Sequence, residues 1–190
     1  TIIVLVGVII GISINKNNQD SVHGMHHEGA MGMHENSDSG SYSGADIMFL
    51  QMMIPHHQQA IELANLAETR ATNQEVLSLA RTIKAEQAPE IEQMKSWLKV
   101  AGQSEMNMSD HMGMGMLTEE EISTLAKAKG KEFEFLFLKD MIEHHKGAIL
   151  MAESVLDSQN QEVRDFAKKI KQTQSNEITA MKQLQVVVTQ

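Results

Sequence analysis

The sequence contains two copies of one segment, and this repeat constrains the fold more than any other feature. The stretch FLQMMIPHHQQAIELA, from Phe49 to Ala64, matches FLKDMIEHHKGAILMA, from Phe137 to Ala152, at a constant offset of 88 residues. Further along the offset is 87, where residues 73–76 match 160–163 and residues 90–94 match 177–181. Because each copy is long enough for two helices, the repeat predicts two similar helical hairpins.

Residues in both copies recur at helical spacing. In the first copy one stripe, at alternating steps of four and three, comprises Phe49, Met53, His56, Ala60, Leu63 and Ala67, and the stripe beside it comprises Leu50, Ile54, His57, Ile61 and Ala64. Asn73 is a predicted N-cap for the second helix, and Thr118 with Glu121 resembles a capping box that opens the second half. With only two prolines and 4 % aromatic residues, we predict an all-α protein, an antiparallel four-helix bundle made of two repeated hairpins.

The remaining segments differ in composition from the repeats. Residues 2–14 are apolar and uncharged, which predicts that residues 1–14 are a signal peptide or membrane anchor and that the protein is exported. Residues 15–44 are rich in Gly, Ser, Asn and His and are predicted to form a flexible arm. We therefore predict a first hairpin over 45–101, a Met-rich linker over 102–117 and a second hairpin over 118–190.

The chain has 15 methionines and nine histidines but no cysteine. Thioether and imidazole groups bind soft metal ions without the disulfide chemistry of thiols, so this composition suits a soft-metal protein in an oxidising compartment. The simpler explanation is that methionine fills gaps in a core. The net charge of −9 and the absence of a nucleic-acid motif argue against nucleic acid as a partner, and the diffuse acidity is typical of solubility.

Two flexible segments carry clustered candidate ligands. An exposed methionine cluster buries little apolar surface, so core packing does not explain it, and thioethers select copper(I) and silver(I). Imidazole suits copper(II) as well. The candidates in the linker are Met106, Met108, His111, Met112, Met114 and Met116, and those in the arm are Met25, His26, His27, Met31, Met33 and His34.

Each repeat also carries a His-His pair one helical turn after a methionine. Met53 precedes His56 and His57, as Met141 precedes His144 and His145, and Met151 stands where the first copy has Leu63. A single buried histidine usually needs only a hydrogen-bond partner. Two symmetry-related pairs meeting across a bundle are harder to satisfy in that way, which favours some of them as metal ligands. For Met94 and Met181, core packing is the better interpretation.

Pro55 stands before the first pair, where the second copy has Glu143. A proline inside a helix frees the carbonyl four residues back, here that of Gln51, and bends the axis beside His56. The alternative is that the helix begins at Pro55.

No enzyme signature is present. Carboxylate di-iron bundles need inward glutamates and a Glu-x-x-His on two helices, and the residues three before the histidines are Met53, Ile54, Met141 and Ile142. No H-E-x-x-H, P-loop, G-x-S-x-G or dinucleotide motif appears. We therefore predict no catalytic activity and no catalytic residues. A copper(I)-oxidising enzyme and a structural exported bundle without metal remain the alternatives.

With MMIPHHQQAIELA and MIEHHKGAILMAE, the chain resembles the family catalogued as domain of unknown function 305, which includes the CopM-like copper-binding proteins. The resemblance covers Asp46 to about Leu184. It implies a ferritin-like four-helix bundle in the periplasm or outside the cell that binds copper(I), with copper(II) and silver(I) as further cargo. It also implies copper resistance and homeostasis through sequestration or through delivery to a copper transporter or another copper protein. Contact with the membrane is expected only through the N-terminal segment.

Overall fold

A computed structural model describes residues 41–105 and 113–190, and within these ranges every regular element is a helix. The helices are α1 (Gly44–Arg70), α2 (Gln74–Val100), α3 (Glu119–Lys127), α4 (Gly130–Glu153) and α5 (Gln161–Val188). The predicted all-α helical bundle is confirmed. None of the helices in the described ranges has the length and apolar character needed to cross a membrane.

Several predictions concern residues outside the described ranges. These are the signal peptide or anchor, the arm ligands Met25, His26, His27, Met31, Met33 and His34, and the linker ligands Met106, Met108, His111 and Met112. They stay predictions from the sequence.

Side-chain caps set where the helices begin. Ser43 and Asp46 form a capping box at α1, Asn73 accepts from the backbone of Glu75 and Val76 at α2, and Asn160 caps α5. The predicted N-cap at Asn73 is therefore confirmed. The predicted Thr118 and Glu121 capping box is also present, but it opens the short α3, and the second long repeat helix begins only at Gly130.

Pro55 lies in the middle of α1, which continues on both sides of it. The alternative in which the helix begins at Pro55 is wrong. A proline here has no N–H to offer the carbonyl of Gln51, so one backbone hydrogen bond is lost next to His56.

The helices pack as two hairpins, α1 with α2 and α4 with α5, which meet along α1 and α4. Their apolar side chains form two separate clusters rather than one core. The Phe133 cluster includes Leu63, Ile83, Phe133, Phe137, Met141 and Met181, and the Trp97 cluster includes Phe49, Met53, Met94, Trp97, Met151 and Ile170. Met94 and Met181 are fully buried, which confirms core packing for both.

Each long helix runs from one cluster into the other, and polar residues lie between them in the sequence of every long helix. These buried side chains form what we call the polar layer: His56, His57, Gln87, Glu90, His144, His145, Gln174 and Glu177. Burial of polar groups costs free energy unless they are hydrogen bonded. Eight buried polar side chains in the middle of a helical bundle are therefore unusual.

Candidate metal centre

His56 and His144 meet at the contact between the two hairpins. Their ring centroids are 3.7 Å apart and the rings are tilted by 35°. Both side chains are almost completely buried. The two histidine pairs were predicted to approach each other across the bundle. This is confirmed for His56 of α1 and His144 of α4, which we call the inner histidines.

The inner histidines are poorly satisfied by hydrogen bonds. His56 Nε2 lies 3.0 Å from the carbonyl oxygen of Met114, while His56 Nδ1 and both ring nitrogens of His144 have no hydrogen-bond partner among the described residues. The backbone of His56 also lies close to the His144 ring, but not in the geometry of a hydrogen bond. Each such buried polar group costs about 1–3 kcal/mol of stability when left unpaired.

His57 and His145, the outer histidines, are each paired with a glutamate of the neighbouring helix. His57 Nε2 is 2.9 Å from Glu90 Oε2, and His145 Nε2 is 2.8 Å from Glu177 Oε2. Both carboxylates are buried, and neither glutamate was among the site residues predicted from the sequence. The repeat carried the missed signal, since Glu90 and Glu177 are equivalent positions in the two copies.

The carboxylates do not gather into a site for a hard metal ion. In residues 41–105 and 113–190, no group of three or more His, Asp or Glu side chains is placed to hold a metal. The carboxylates of Glu90 and Glu177 are each engaged by a histidine, so the remaining candidate donors of the polar layer are imidazole nitrogens and the sulfur atoms of buried methionines.

Methionine sulfur is distributed unequally about the polar layer. Met53, Met141 and Met151 are all buried within the apolar clusters, and their role as ligands stays a prediction. Met53 and Met151 belong to the Trp97 cluster, whereas Met141 shares the Phe133 cluster with Leu63. The second repeat has Met151 where the first has Leu63. Two candidate sulfur ligands, Met53 and Met151, therefore lie on the side of the layer that faces the Trp97 cluster.

The end of the linker, residues 113–117, crosses the bundle as a strap. The side-chain amide of Gln59 forms two hydrogen bonds with the strap. It donates to the Leu117 carbonyl at 2.9 Å and accepts from the Leu117 N–H at 2.8 Å. A Cβ at Gly147 would overlap the Met114 carbonyl, and one at Gly115, whose φ is +80°, would overlap the backbone of Glu143. Two glycines thus allow the strap to lie directly on α4.

The strap changes the interpretation of the linker methionines that the structure describes. The backbone carbonyl of Met114 contacts His56, but the residue as a whole is 47 % exposed. Met116 is half-buried. The predicted ligand roles of these two sulfur atoms remain predictions.

Burial controls the protonation of the inner pair. Burial and the neighbouring His57 lower the pKa of His56 to about 3, although its bond with the Met114 carbonyl acts in the opposite direction. Burial, followed by the nearby histidines, lowers the pKa of His144 well below its usual range. Both rings are therefore neutral at physiological pH and have a lone pair available for a metal ion.

We expect the metal-free protein to lose stability as the pH falls from about 6.5 toward 4.5. The unfolded histidines have a pKa near 6.5, above the folded values, so the unfolded state binds more protons in this window. Each inner histidine contributes up to about 1.4 kcal/mol per pH unit. Urea unfolding at a series of pH values measures this slope.

The matched control for the pH series is His144→Leu, which should remove about half of the slope. Glu86 and Asp140 have raised pKa values, mainly through burial, and their protonation acts in the opposite direction at the acid end. Their effect is common to both proteins. An unchanged slope in the variant would show that His144 does not titrate as the structure implies.

Comparison with known proteins supports the family resemblance. The profile of DUF305, a domain of unknown function, matches residues 46–185. A DUF305 fragment from Deinococcus radiodurans is 32 % identical with a TM-score of 0.71, and covers 76 % of this chain and 97 % of its own. A DUF305 protein of Streptomyces coelicolor, described as a candidate secreted protein, is 29 % identical with a TM-score of 0.71, covering 80 % and 96 %.

CopM in its Cu(II)-bound form is 34 % identical to this chain with a TM-score of 0.66, and covers 74 % of this chain and 95 % of its own. The same protein is also solved in Cu(I)-bound and silver-bound forms. No curated protein sequence matches the chain. The bundle therefore shares its fold with a protein that is known in copper- and silver-bound forms.

Proposed function

Since this chain belongs to the DUF305 family, we propose that it is an extracytoplasmic protein that binds copper(I) and silver(I) without catalysing a reaction. The polar layer of the bundle is the proposed buried site, and the Met/His segments of the arm and linker are additional, weaker sites. The protein would buffer or deliver copper and so support copper resistance.

The observation that carries the proposal is the state of the inner histidines. Three ring nitrogens of His56 and His144 are buried and have no partner within the described ranges, and the two rings touch. A protein selected only for stability would replace such groups with apolar side chains, because each unpaired nitrogen costs free energy. A bound cation would satisfy the ring nitrogens that carry a lone pair.

The chemistry of the layer supports a soft cation. The available donors are neutral imidazoles and the buried thioethers of Met53, Met141 and Met151, while the two carboxylates are already engaged by histidine. Thioether donors favour copper(I) and silver(I) over zinc. We expect zinc, even in large excess, to displace little copper(I) from the protein.

Two similarities support the rest of the proposal. CopM, which shares the fold at 34 % identity, has been solved with copper and with silver. The Streptomyces relative is described as a candidate secreted protein, consistent with the apolar segment at residues 2–14 and with the absence of cysteine. A copper transporter or another copper protein is the proposed recipient of the ion.

A copper(I) titration against a coloured chelator tests the proposal. The full chain is compared with one in which the arm and linker methionines are replaced by leucine, and with one in which His56, His57, His144 and His145 are replaced by glutamine. We expect the methionine variant to keep the tightest site and the histidine variant to lose it. Retention of the tightest site by the histidine variant would place copper(I) in the arm and linker instead.

Oxygen uptake with copper(I) as substrate separates binding from catalysis. A binding protein consumes oxygen in no more than stoichiometric proportion to the bound ion. Sustained turnover would favour the oxidase alternative.

A further inference from the structure

The two glutamates of the polar layer determine which nitrogen of each outer histidine carries the proton. A carboxylate only accepts hydrogen bonds, so Nε2 of His57 and of His145 must donate. The distances of 2.9 Å and 2.8 Å are those of hydrogen bonds from an imidazole N–H to a carboxylate oxygen.

The other nitrogen of each outer ring then carries a lone pair. Nδ1 of His57 and Nδ1 of His145 are both buried and have no hydrogen-bond partner within the described ranges. Metal-binding histidines generally donate their second N–H to a carboxylate or carbonyl, which fixes the ring orientation and raises its basicity. Here this arrangement is already formed without a metal, in both halves of the bundle.

The charge around the two glutamates differs. Lys169 Nζ lies 3.1 Å from Glu90 Oε1, whereas Glu177 Oε1 has no partner in the described part of the chain. The position equivalent to Lys169 in the other half is Thr82, at the offset of 87.

We propose that Glu90 and Glu177 are positioning residues that make Nδ1 of His57 and His145 the metal-binding atoms, and that Lys169 weakens the Glu90 half. This inference rests on the proposed function, since it requires a cation in the layer. A cation held by His145 lies beside a carboxylate that no cation contacts within the described ranges, whereas Lys169 offsets the charge of Glu90 at His57. Because Lys169 is largely exposed and solvent screens its charge, we expect the two affinities to differ by no more than about tenfold.

The test is a silver(I) titration of the full, 15N-labelled chain followed by long-range 1H–15N spectra of the histidine rings. His57→Gln and His145→Gln assign the two outer rings. Before silver is added, we expect Nε2 protonated and Nδ1 unprotonated in both. During the titration, Nδ1 of His145 should shift at a lower free silver concentration than Nδ1 of His57, with a difference of at most about tenfold.

Two variants that change charge form a matched pair, one on α5 and one on α2. Lys169→Met removes the cation beside Glu90 and should bring the His57 midpoint close to that of His145. Thr82→Lys places a cation at the equivalent position beside Glu177 and should weaken silver binding at His145. Glu177→Leu removes the acceptor, so the His145 ring should become a mixture of tautomers.

The outcomes separate this inference from the proposed function. Silver bound through Nε2 would overturn the inference while leaving a bundle site intact. Titration midpoints that change in neither charge variant would do the same. Silver that shifts none of the four rings would overturn the bundle site and the inference together. Should Glu177→Leu fail to fold, the two charge variants still decide, since Lys169 and Thr82 are not part of the core.

Discussion

Replacing both His56 and His144 with leucine should make the metal-free protein more stable and the metal-loaded protein less stable. Leucine is close to histidine in size and has no polar atoms. The variant therefore removes three unpaired ring nitrogens, together with the single hydrogen bond from His56 to the Met114 carbonyl, in exchange for apolar contact between α1 and α4. The free energy of unfolding without metal should rise by about 1–3 kcal/mol, the usual cost of a buried unpaired group.

The same variant should lose the stabilisation that silver(I) gives the normal chain. A ligand that binds only the folded state adds about 4 kcal/mol at a thousandfold excess over its dissociation constant. Urea unfolding with and without silver measures both effects in one series. Because bonds from other ligands could mask a single change, both histidines are replaced together.

The control is Gln58→Leu, which makes a similar change at an exposed position of the same helix. It should leave the silver effect unchanged. A metal-free double variant that is less stable than the normal chain by more than about 1 kcal/mol would show that the two rings stabilise the fold. A silver effect that survives in the variant would remove them from the site.

Gly147→Ala should destabilise the protein, although alanine is the better residue for a helix. In a helix interior this change normally gains about 0.5–1 kcal/mol. Here the added methyl group would overlap the Met114 carbonyl, which belongs to the strap backbone and cannot rotate away. We expect a net loss of about 1–3 kcal/mol, typical of forced displacement in a packed region.

The strap should also come away from α4 in this variant. The Leu117 N–H donates to Gln59, so its hydrogen exchange reports directly on whether the strap is docked. We expect faster exchange at Leu117, with little change in the middle of α2. Gly44→Ala is the control, since a Cβ at Gly44 meets nothing within 4 Å. A gain of stability at Gly147 would mean that the strap is not held against the helix.

Sequence periodicity was sufficient for the four long helices because they are determined by local spacing, but it did not predict the short α3 that precedes α4. The repeat predicted the hairpins, and the stripe containing His56 predicted which side of α1 is buried. The pairing of His57 with Glu90 depends on how two helices rotate against each other, and no spacing within one helix specifies that rotation. The equivalent positions of Glu90 and Glu177 were visible, yet nothing local marked these glutamates as buried.

The strap was beyond sequence reasoning for a different reason. Gly115 and Gly147 lie in different elements, and what they share is a close approach of two backbones. In a sequence, Gly115 reads as part of a Met/Gly linker and Gly147 as a poor helix residue. Only the packed structure shows why each lacks a side chain.

The division of the polar layer between two hairpins has a consequence for oligomeric symmetry. Each hairpin supplies one His-His pair and one glutamate, so a single hairpin would have to form a twofold dimer to complete the layer. Joining the halves makes their association intramolecular. The two halves of a single chain can also differ in sequence. A homodimer could not have Lys169 in one half and Thr82 at the equivalent position of the other, or Met151 in one half and Leu63 at the equivalent position of the other. One chain can therefore hold two unequal sites where a symmetric dimer is limited to two equal ones.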